Sequence, residues 1–212
     1  MSKAGDFFQN PVTGEAAIVR FGTDESGGEL LVADLYIASG GAVMGEHYHP
    51  AIEERFTLIR GKLGVRLSGL ATEAKPGVML LVPPGVPHDW WNAGDEDALV
   101  RVEIRPAARF EIMILNAFGL AQDGRVDRKG MPNFLQLVVF AREFSDVVRF
   151  TRPPHLVQRV LFGLVAPFAR LLGYRGSYQE YLTRHHKHHV VERWSTWSDP
   201  GRPLTPPLLE TA

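Results

Sequence analysis

Three histidines and one glutamate lie close together in the first half of the sequence. His47, His49 and Glu54 fall within GEHYHPAIEE, and His88 follows in VPPGVPHDWWN. Imidazole nitrogens and a carboxylate oxygen are natural ligands for a borderline divalent metal ion. An ion that prefers five or six ligands would keep positions for a substrate, water or O₂. These four residues therefore predict a metal site that is capable of chemistry.

The segments around these residues have the pattern of short β-strands. From Glu15 onward, runs rich in β-branched and aromatic residues are separated by Gly, Pro, Asn and Asp: AAIVRF, ELLVADLYI, ERFTLI, KLGVRL, VMLLV, HDWWN and ALVRVEI. This spacing is typical of an all-β sandwich or barrel. The alternation in ALVRVEIR separates valines from charges but does not tell which face lines a cavity.

Strand alternation also groups the candidate ligands with aromatic residues. His47 and His49 are two positions apart and point to the same side of a strand. By the same rule, Glu54 lies on the same strand face as Phe56, and His88 lies on the same strand face as Trp90. If these faces point inward, the metal lies in an apolar pocket, and we take Tyr36, Phe56 and Trp90 as candidate substrate-pocket residues. As plain core aromatics they would need no such role.

The two blocks resemble the two motifs of the cupin superfamily. The first, G-x5-H-x-H-x4-E-x6-G, is matched by Gly41, His47, His49, Glu54 and Gly61. The second, G-x5-P-x-G-x2-H-x3-N, is matched by Gly77, Pro83, Gly85, His88 and Asn92. Glu53 is a rival for Glu54, but only Glu54 leaves the six-residue gap before Gly61.

This resemblance implies a mainly β fold, a double-stranded β-helix (the cupin or jelly-roll barrel) over residues 12–106. We expect an α-helical C-terminal extension over 107–192 and an extended or disordered tail over 193–212. The resemblance also implies a divalent metal ion held by His47, His49, Glu54 and His88, with Fe, Mn, Ni, Cu, Co and Zn all open. The alternative is a metal-free barrel. Asn92 is interpreted as a turn former rather than a ligand.

For function, the resemblance implies a metal-dependent enzyme acting on a small organic substrate, most commonly a dioxygenase. The first alternative is a non-redox isomerase, lyase or cyclase, in which the ion polarises a carbonyl group. The second is a non-catalytic cupin that binds a small molecule. The sequence identifies neither the substrate nor catalytic residues beyond the metal ligands, because one fold hosts many reactions.

The amino-acid composition limits the kinds of cross-link, metal site and binding partner that this chain can have. The absence of cysteine excludes disulfides and thiolate metal sites. Residues 1–105 carry 9 basic and 15 acidic residues, and residues 106–212 carry 14 and 9. The basic residues form no stripe of the kind that binds nucleic acid, so we expect no nucleic-acid partner. With no apolar leader visible, we expect a cytoplasmic protein, and the resemblance implies a homodimer.

The second half has helical periodicity and one unusually apolar segment at 155–173, HLVQRVLFGLVAPFARLLG. Arg159, Arg170 and Pro167 argue against a membrane span. The sequence favours a helix packed on the barrel or a dimer partner over a peripheral membrane helix. A last helix is predicted to open at Ser177. In it, His185, His188 and His189 form either a second metal site or, the favoured interpretation, a solvated basic helix end.

Overall fold

The computed structural model describes residues 1–43 and 45–184, in which the strands form two antiparallel sheets. The larger sheet has the order β1-β2-β3-β10-β5-β8. Its strands are β1 Phe7–Asn10, β2 Glu15–Phe21, β3 Leu31–Ile37, β10 Ala98–Arg105, β5 Glu53–Arg60 and β8 Met79–Val82. The sheet thus begins at Phe7, which is N-terminal of the predicted boundary at residue 12.

The smaller sheet has the order β11-β4-β9-β6-β7. Its strands are β11 Arg149–Phe150, β4 His47–Tyr48, β9 His88–Asn92, β6 Leu63–Leu67 and β7 Leu70–Ala74. Inner side chains of both sheets meet in one core, for example Phe56 and Leu58 from β5 with Val65 and Trp90. This is the predicted mainly β barrel, and helices follow it.

Alternation along β5 explains how the barrel separates its two surfaces. Glu54, Phe56 and Leu58 are buried, whereas Glu53 and Arg55, on either side of Glu54, are half-buried and pair with each other at 2.9 Å. The turn after β5 is tight: Gly61 has a φ of +87°, and a Cβ there would lie 2.8 Å from the Ala98 Cα. Only glycine accommodates both conditions. The turn thereby fixes the register of β5 and the inward direction of Glu54.

Four helices lie among the described residues of the second half: α1 Ala108–Gln122, α2 Phe134–Glu143, α3 His155–Leu171 and α4 Gln179–Leu182. Helix α1 shares a buried cluster with the barrel, in which Met113 and Phe118 pack with Val19, Leu31 and Ile104. Phe140, Phe144 and Val147 belong to the same cluster. These parts of the extension therefore complete the barrel core.

Strand β11 ties the extension directly to the predicted metal-binding segment. Phe150 pairs with His47, and Arg149 pairs with Tyr48. Beside this pair, the Thr151 hydroxyl donates to a Glu46 carboxylate oxygen at 2.8 Å. The helical half thus contributes a strand to the sheet that carries two of the histidines.

Helix α3 packs on α2, whereas the sequence favoured a helix packed on the barrel or on a dimer partner. Its buried residues are Gln158, Ala166 and Ala169, and the two alanines pack against Val138 and Val139 of α2. Most of its large apolar side chains are exposed. Within residues 1–43 and 45–184, no helix is both long and apolar enough to cross a membrane.

The chain near residue 177 also corrects a prediction. The last described helix begins at Gln179, and its N-cap residue Tyr178 makes no side-chain capping bond. Ser177 instead accepts a hydrogen bond from the Asn116 amide at 3.0 Å. The predicted roles of His185, His188 and His189, and the tail at 193–212, lie outside the described residues.

Candidate metal centre

The structure brings His47, His49, Glu54 and His88 together inside the barrel. His47 on β4 lies directly opposite His88 on β9, and His49 follows two residues later. Glu54 reaches the same place from β5 in the other sheet. All four side chains are buried. The fold therefore gathers into one cluster residues that lie up to 41 positions apart in the sequence.

The distances in this cluster match a metal site. Ligand atoms of His47, His49 and His88 all lie within 4.8 Å of one another. An oxygen of Glu54, Oε2, lies 2.8 Å from Nε2 of His88 and 3.5 Å from Nε2 of His49. These three atoms are buried, and none has a properly oriented hydrogen-bond partner among the described residues. Buried polar atoms without partners are costly, so convergence of this kind fits a bound cation. The three-histidine cluster could hold a metal ion.

The far side of each imidazole is fixed by a backbone carbonyl. Nδ1 of His47 donates to Gly45 at 3.0 Å, and Nδ1 of His88 donates to Val86 at 3.0 Å. Nδ1 of His49 donates to Val147 at 2.6 Å. With Nδ1 carrying the proton, Nε2 keeps its lone pair for a metal, which is the usual arrangement around histidine ligands. The partner of His49 comes from the helical extension, since Val147 lies between α2 and β11.

The electrostatics of the cluster favour neutral His47 and ionised Glu54. Burial, together with the nearby His88 and His49, lowers the pKa of His47 to about 4. Burial opposes ionisation of Glu54, but the adjacent His49 and His88 hold the pKa of Glu54 below its usual value. Burial would lower the pKa of His88, yet the Glu54 carboxylate raises it. A divalent cation would replace the proton that Glu54 and His88 attract between them.

The cluster opens into an apolar cavity of about 130 Å³ between the two sheets and α1. His47, His49 and Glu54 line it with Phe56 and Trp90. The remaining lining is mostly apolar and includes Val19, Leu31, Leu35, Val102, Ile104, Phe110, Met113 and Phe118. The Phe110 ring of α1 also lies 5.7 Å from the His49 ring. A cavity of this size and lining suits a small apolar ligand.

Tyr36 does not share this cavity. It is fully buried, and it packs with Phe7, Ala16 and Leu99 in a separate cluster. Its neighbour Leu35 is the residue of β3 that lines the cavity. Because successive side chains point to opposite faces, Tyr36 belongs to the outer face of its sheet. Of the three predicted pocket residues, the structure places Phe56 and Trp90 at the cavity.

Asn92 stabilises the turn that follows β9 through side-chain hydrogen bonds to the backbone. Its amide donates to the carbonyls of Ile37 and Glu96, and its oxygen accepts from the Gly94 backbone. These three bonds hold the segment after β9 against the end of β3. This arrangement matches the structural role that we expected for Asn92.

Besides Glu111, which accepts a hydrogen bond from Ser2, sequence reasoning missed a second ionisable residue of the cavity lining, Glu15. It begins β2, is buried, and lines the cavity with Ala17 and Val19. Glu15 pairs with Ile37, which pairs with Ala98, whereas Glu54 pairs with Ile104 on the same strand β10. Six residues of strand span about 20 Å, so Glu15 stands toward the opposite end of the barrel from Glu54. Strand alternation could have predicted this position, because Glu15 lies on the same face of β2 as Ala17 and Val19.

Burial raises the pKa of Glu15 to about 7, although a hydrogen bond from Thr13 opposes the shift. The folded protein therefore binds this proton more tightly than the unfolded chain. The contribution of this proton to the free energy of unfolding is complete below about pH 4.5 and is lost as the pH rises to about 7. The variant E15Q has no titrating group at this position, so we expect its stability not to fall in this way. Its free energy of unfolding relative to wild type should therefore increase by about 3 kcal/mol between about pH 4 and pH 8.

Urea unfolding of both proteins across this pH range measures the difference. The matched control is E73Q, because Glu73 is exposed on β7, and its difference from wild type should stay constant with pH. A constant difference for E15Q as well would show that Glu15 is ionised in the folded protein at neutral pH.

Residues 35–104 match a family model described as "Cupin domain". This part of the chain is a cupin domain. The match covers both histidine-containing strands, β5 and most of β10, and it confirms the resemblance of the two motifs. The match ends at residue 104, before α1, so it does not extend to the helical half that supplies Phe110 and Val147.

Among curated proteins, the chain is similar to "Polyketide synthase CurC" from Streptomyces cyaneus, with 34% identity over 74 residues. The match covers 35% of this chain and 48% of that protein, so the chain spans about half the length of this relative.

Two solved structures are similar in part. KdgF from Halomonas sp. has 20% identity and a TM-score of 0.41, over 47% of this chain and 84% of that one. A sugar phosphate isomerase of the cupin superfamily from Silicibacter pomeroyi has 21% identity and a TM-score of 0.40, over 44% and 60%.

Proposed function

We propose that the protein is a metal-dependent cupin enzyme that acts on a small, largely apolar organic substrate, with oxygenation as its reaction. The observation that supports this most is the convergence of buried ligand atoms of His49, His88 and Glu54 beside an apolar cavity, which His49 and Glu54 line. A bound iron ion would supply O₂ activation, and a redox-inert ion would supply polarisation of a carbonyl group.

The chain's own residues have three tasks in this proposal. The backbone carbonyls behind His47, His49 and His88 hold the imidazoles in one tautomer and orientation. The Glu54 carboxylate supplies one negative charge, which offsets part of the charge of a divalent ion. Phe56, Trp90 and Phe110 exclude water and bind apolar parts of the substrate. A dry cavity protects reactive species from hydrolysis.

A non-redox reaction is the second candidate, and Glu15 is the observation that favours it. A carboxyl group that keeps its proton near neutral pH can donate a hydrogen bond to a substrate carbonyl from its Oε atom, or move a proton there. The curated relative bears the name polyketide synthase. A polyketide-type substrate, with carbonyl groups on an apolar carbon skeleton, would suit both the apolar walls and the carboxyl at the far end.

Oxygen consumption separates the two candidates. Protein loaded anaerobically with Fe(II) is mixed with O₂ and a panel of diketones, catechols and flavonols, and H88A serves as the control. We expect O₂ uptake that depends on a panel member and is lost in H88A. Conversion of a diketone without O₂ uptake, lost in E15Q, would favour the proton-transfer candidate. No conversion of any panel member by the metal-loaded protein would count against enzymatic activity on these classes.

A further inference from the structure

Helix α3 presents a wide apolar surface that nothing among the described residues covers. Leu164 is 74% exposed and Leu171 is 85% exposed. We call this the α3 face; its other large members are Leu156, Val157, Val160, Leu161, Phe168 and Leu172. At 100° per residue these eight side chains fall within about half of the helix circumference. The opposite side of the helix, with Ala166 and Ala169, packs on α2. Contiguous apolar surface of this kind normally marks an interaction site.

The charged residues of α3 and of the segments on either side of it are all basic. Residues 147–176 contain five arginines, Arg149, Arg152, Arg159, Arg170 and Arg175, and no aspartate or glutamate. Arg159 and Arg170 are 11 positions apart, so they lie on one flank of the face, three turns from each other. Among the described residues, Arg170 alone of the five has a carboxylate within 4.0 Å, that of Glu143 at 3.7 Å. On the flank, Arg159 therefore has no carboxylate partner among the described residues and can meet an external anion.

A second basic feature adjoins the same flank. A groove of about 430 Å³ runs between α2, β11 and the first half of α3. Its basic side chains are Arg142, Arg149, His155 and Arg159. Two of these are anchored: Arg142 donates to the Gly163 carbonyl at 3.1 Å, and Arg149 donates to the Ser145 carbonyl at 2.8 Å. Arg159 belongs to both the groove and the flank of the α3 face.

We propose that α3 seats this protein on an anionic phospholipid surface. The α3 face would lie at the level of the upper acyl chains, and the arginine flank and groove would lie among the phosphate groups. An apolar arc with arginines beside it, on a helix too short to span, is the pattern of an interfacial helix. A second copy fits less well, because pairing two α3 faces would bring no carboxylate of residues 147–176 to either arginine flank.

Vesicle flotation of the full-length protein tests this proposal. Vesicles of phosphatidylcholine mixed with phosphatidylglycerol are compared with vesicles of phosphatidylcholine alone. We expect binding to the anionic vesicles that weakens as salt is added, and little binding to the neutral ones. The double variant R159Q/R170Q should bind roughly 10- to 30-fold more weakly, since each basic residue near such a surface contributes about a fivefold factor.

The apolar contribution is tested separately. L164Q/L171Q should weaken binding at least about tenfold, while its melting temperature stays close to that of wild type because both side chains are exposed. The matched controls are L70Q, at a leucine 79% exposed on β7, and R128Q, at an exposed arginine outside residues 147–176. Both should bind like wild type.

Absence of wild-type flotation at low salt would overturn the proposal, and so would flotation that L164Q/L171Q leaves intact. A dimer in solution that L164Q/L171Q dissociates, with no flotation of wild type, would assign the α3 face to a second copy instead. Neither result depends on the metal centre, so the proposed enzymatic function is tested independently.

Discussion

Replacement of His88 by alanine should weaken metal binding by at least about 100-fold and abolish metal-dependent activity. His88 is almost fully buried, and its Nε2 faces Glu54 while its Nδ1 is held by the Val86 carbonyl. Loss of a supporting residue behind a metal ligand commonly costs 10- to 100-fold in affinity. Loss of the ligand itself should cost more, because the ion then loses one of its bonds to the protein outright.

Competition with a chromophoric chelator measures the affinity, and circular dichroism establishes that the variant is folded. H88Q is a second variant that leaves a smaller void and retains a polar side chain. The control is H155A, since His155 is exposed at the start of α3; it should bind metal like wild type. Retention of wild-type affinity by both His88 variants would remove His88 from the site.

Replacement of Phe144 by alanine should lower the free energy of unfolding by about 3–5 kcal/mol, the usual cost of truncating a buried phenylalanine. Phe144 is fully buried after α2, its ring lies 4.9 Å from that of Phe140, and its carbonyl accepts from the backbone of Val147 and Val148. The same substitution should weaken metal binding about tenfold. The Val147 carbonyl accepts the hydrogen bond that orients His49, and the packing of Phe144 holds the segment that carries Val147 in place.

The matched control for Phe144 is F134A, because Phe134 begins α2 and is 51% exposed. It should cost less than about 1 kcal/mol and leave metal affinity unchanged. Urea unfolding and chelator competition are measured on both variants. If F144A loses stability but binds metal like wild type, the helical half does not position His49.

The sequence was most informative where the signal is local. Fixed spacing identified His47, His49, Glu54 and His88, and strand alternation placed Phe56 and Trp90 on the same side as two of them. Strand lengths and turn residues indicated an all-β sandwich or barrel, because each hairpin depends on a few neighbouring positions, and the resemblance to cupins implied the barrel. Glu54 was distinguished from Glu53 by spacing, and the structure directs Glu54 inward and pairs Glu53 with Arg55.

Residues with ambiguous or distant contacts were harder to predict. Strand β3 is buried on both faces, so alternation of polarity could not tell Leu35 from Tyr36. The bond from His49 to Val147 joins positions 98 apart, and its acceptor is a backbone carbonyl that no side-chain pattern reveals. Strand β11 has two residues, too few for a periodic signal.

Helix α3 shows a different limit of sequence patterns. Its apolar composition predicted burial, but the pattern does not say which of its faces finds a partner within the chain. In the structure, the small residues Ala166 and Ala169 pack against α2, and the large residues of the α3 face are exposed. The division of small and large side chains, rather than total hydropathy, decides which side packs on α2.

We propose that His47, His49, His88 and Glu54 hold one divalent ion in the barrel. X-ray absorption spectroscopy of tag-free protein, with metal content determined on the same sample, tests it most directly. We predict one ion per chain, with the scattering of three imidazoles and at least one oxygen at about 2.0–2.2 Å. An ion coordinated without imidazole, or protein that takes up no Fe, Mn, Ni, Co, Cu or Zn after loading, would contradict the account.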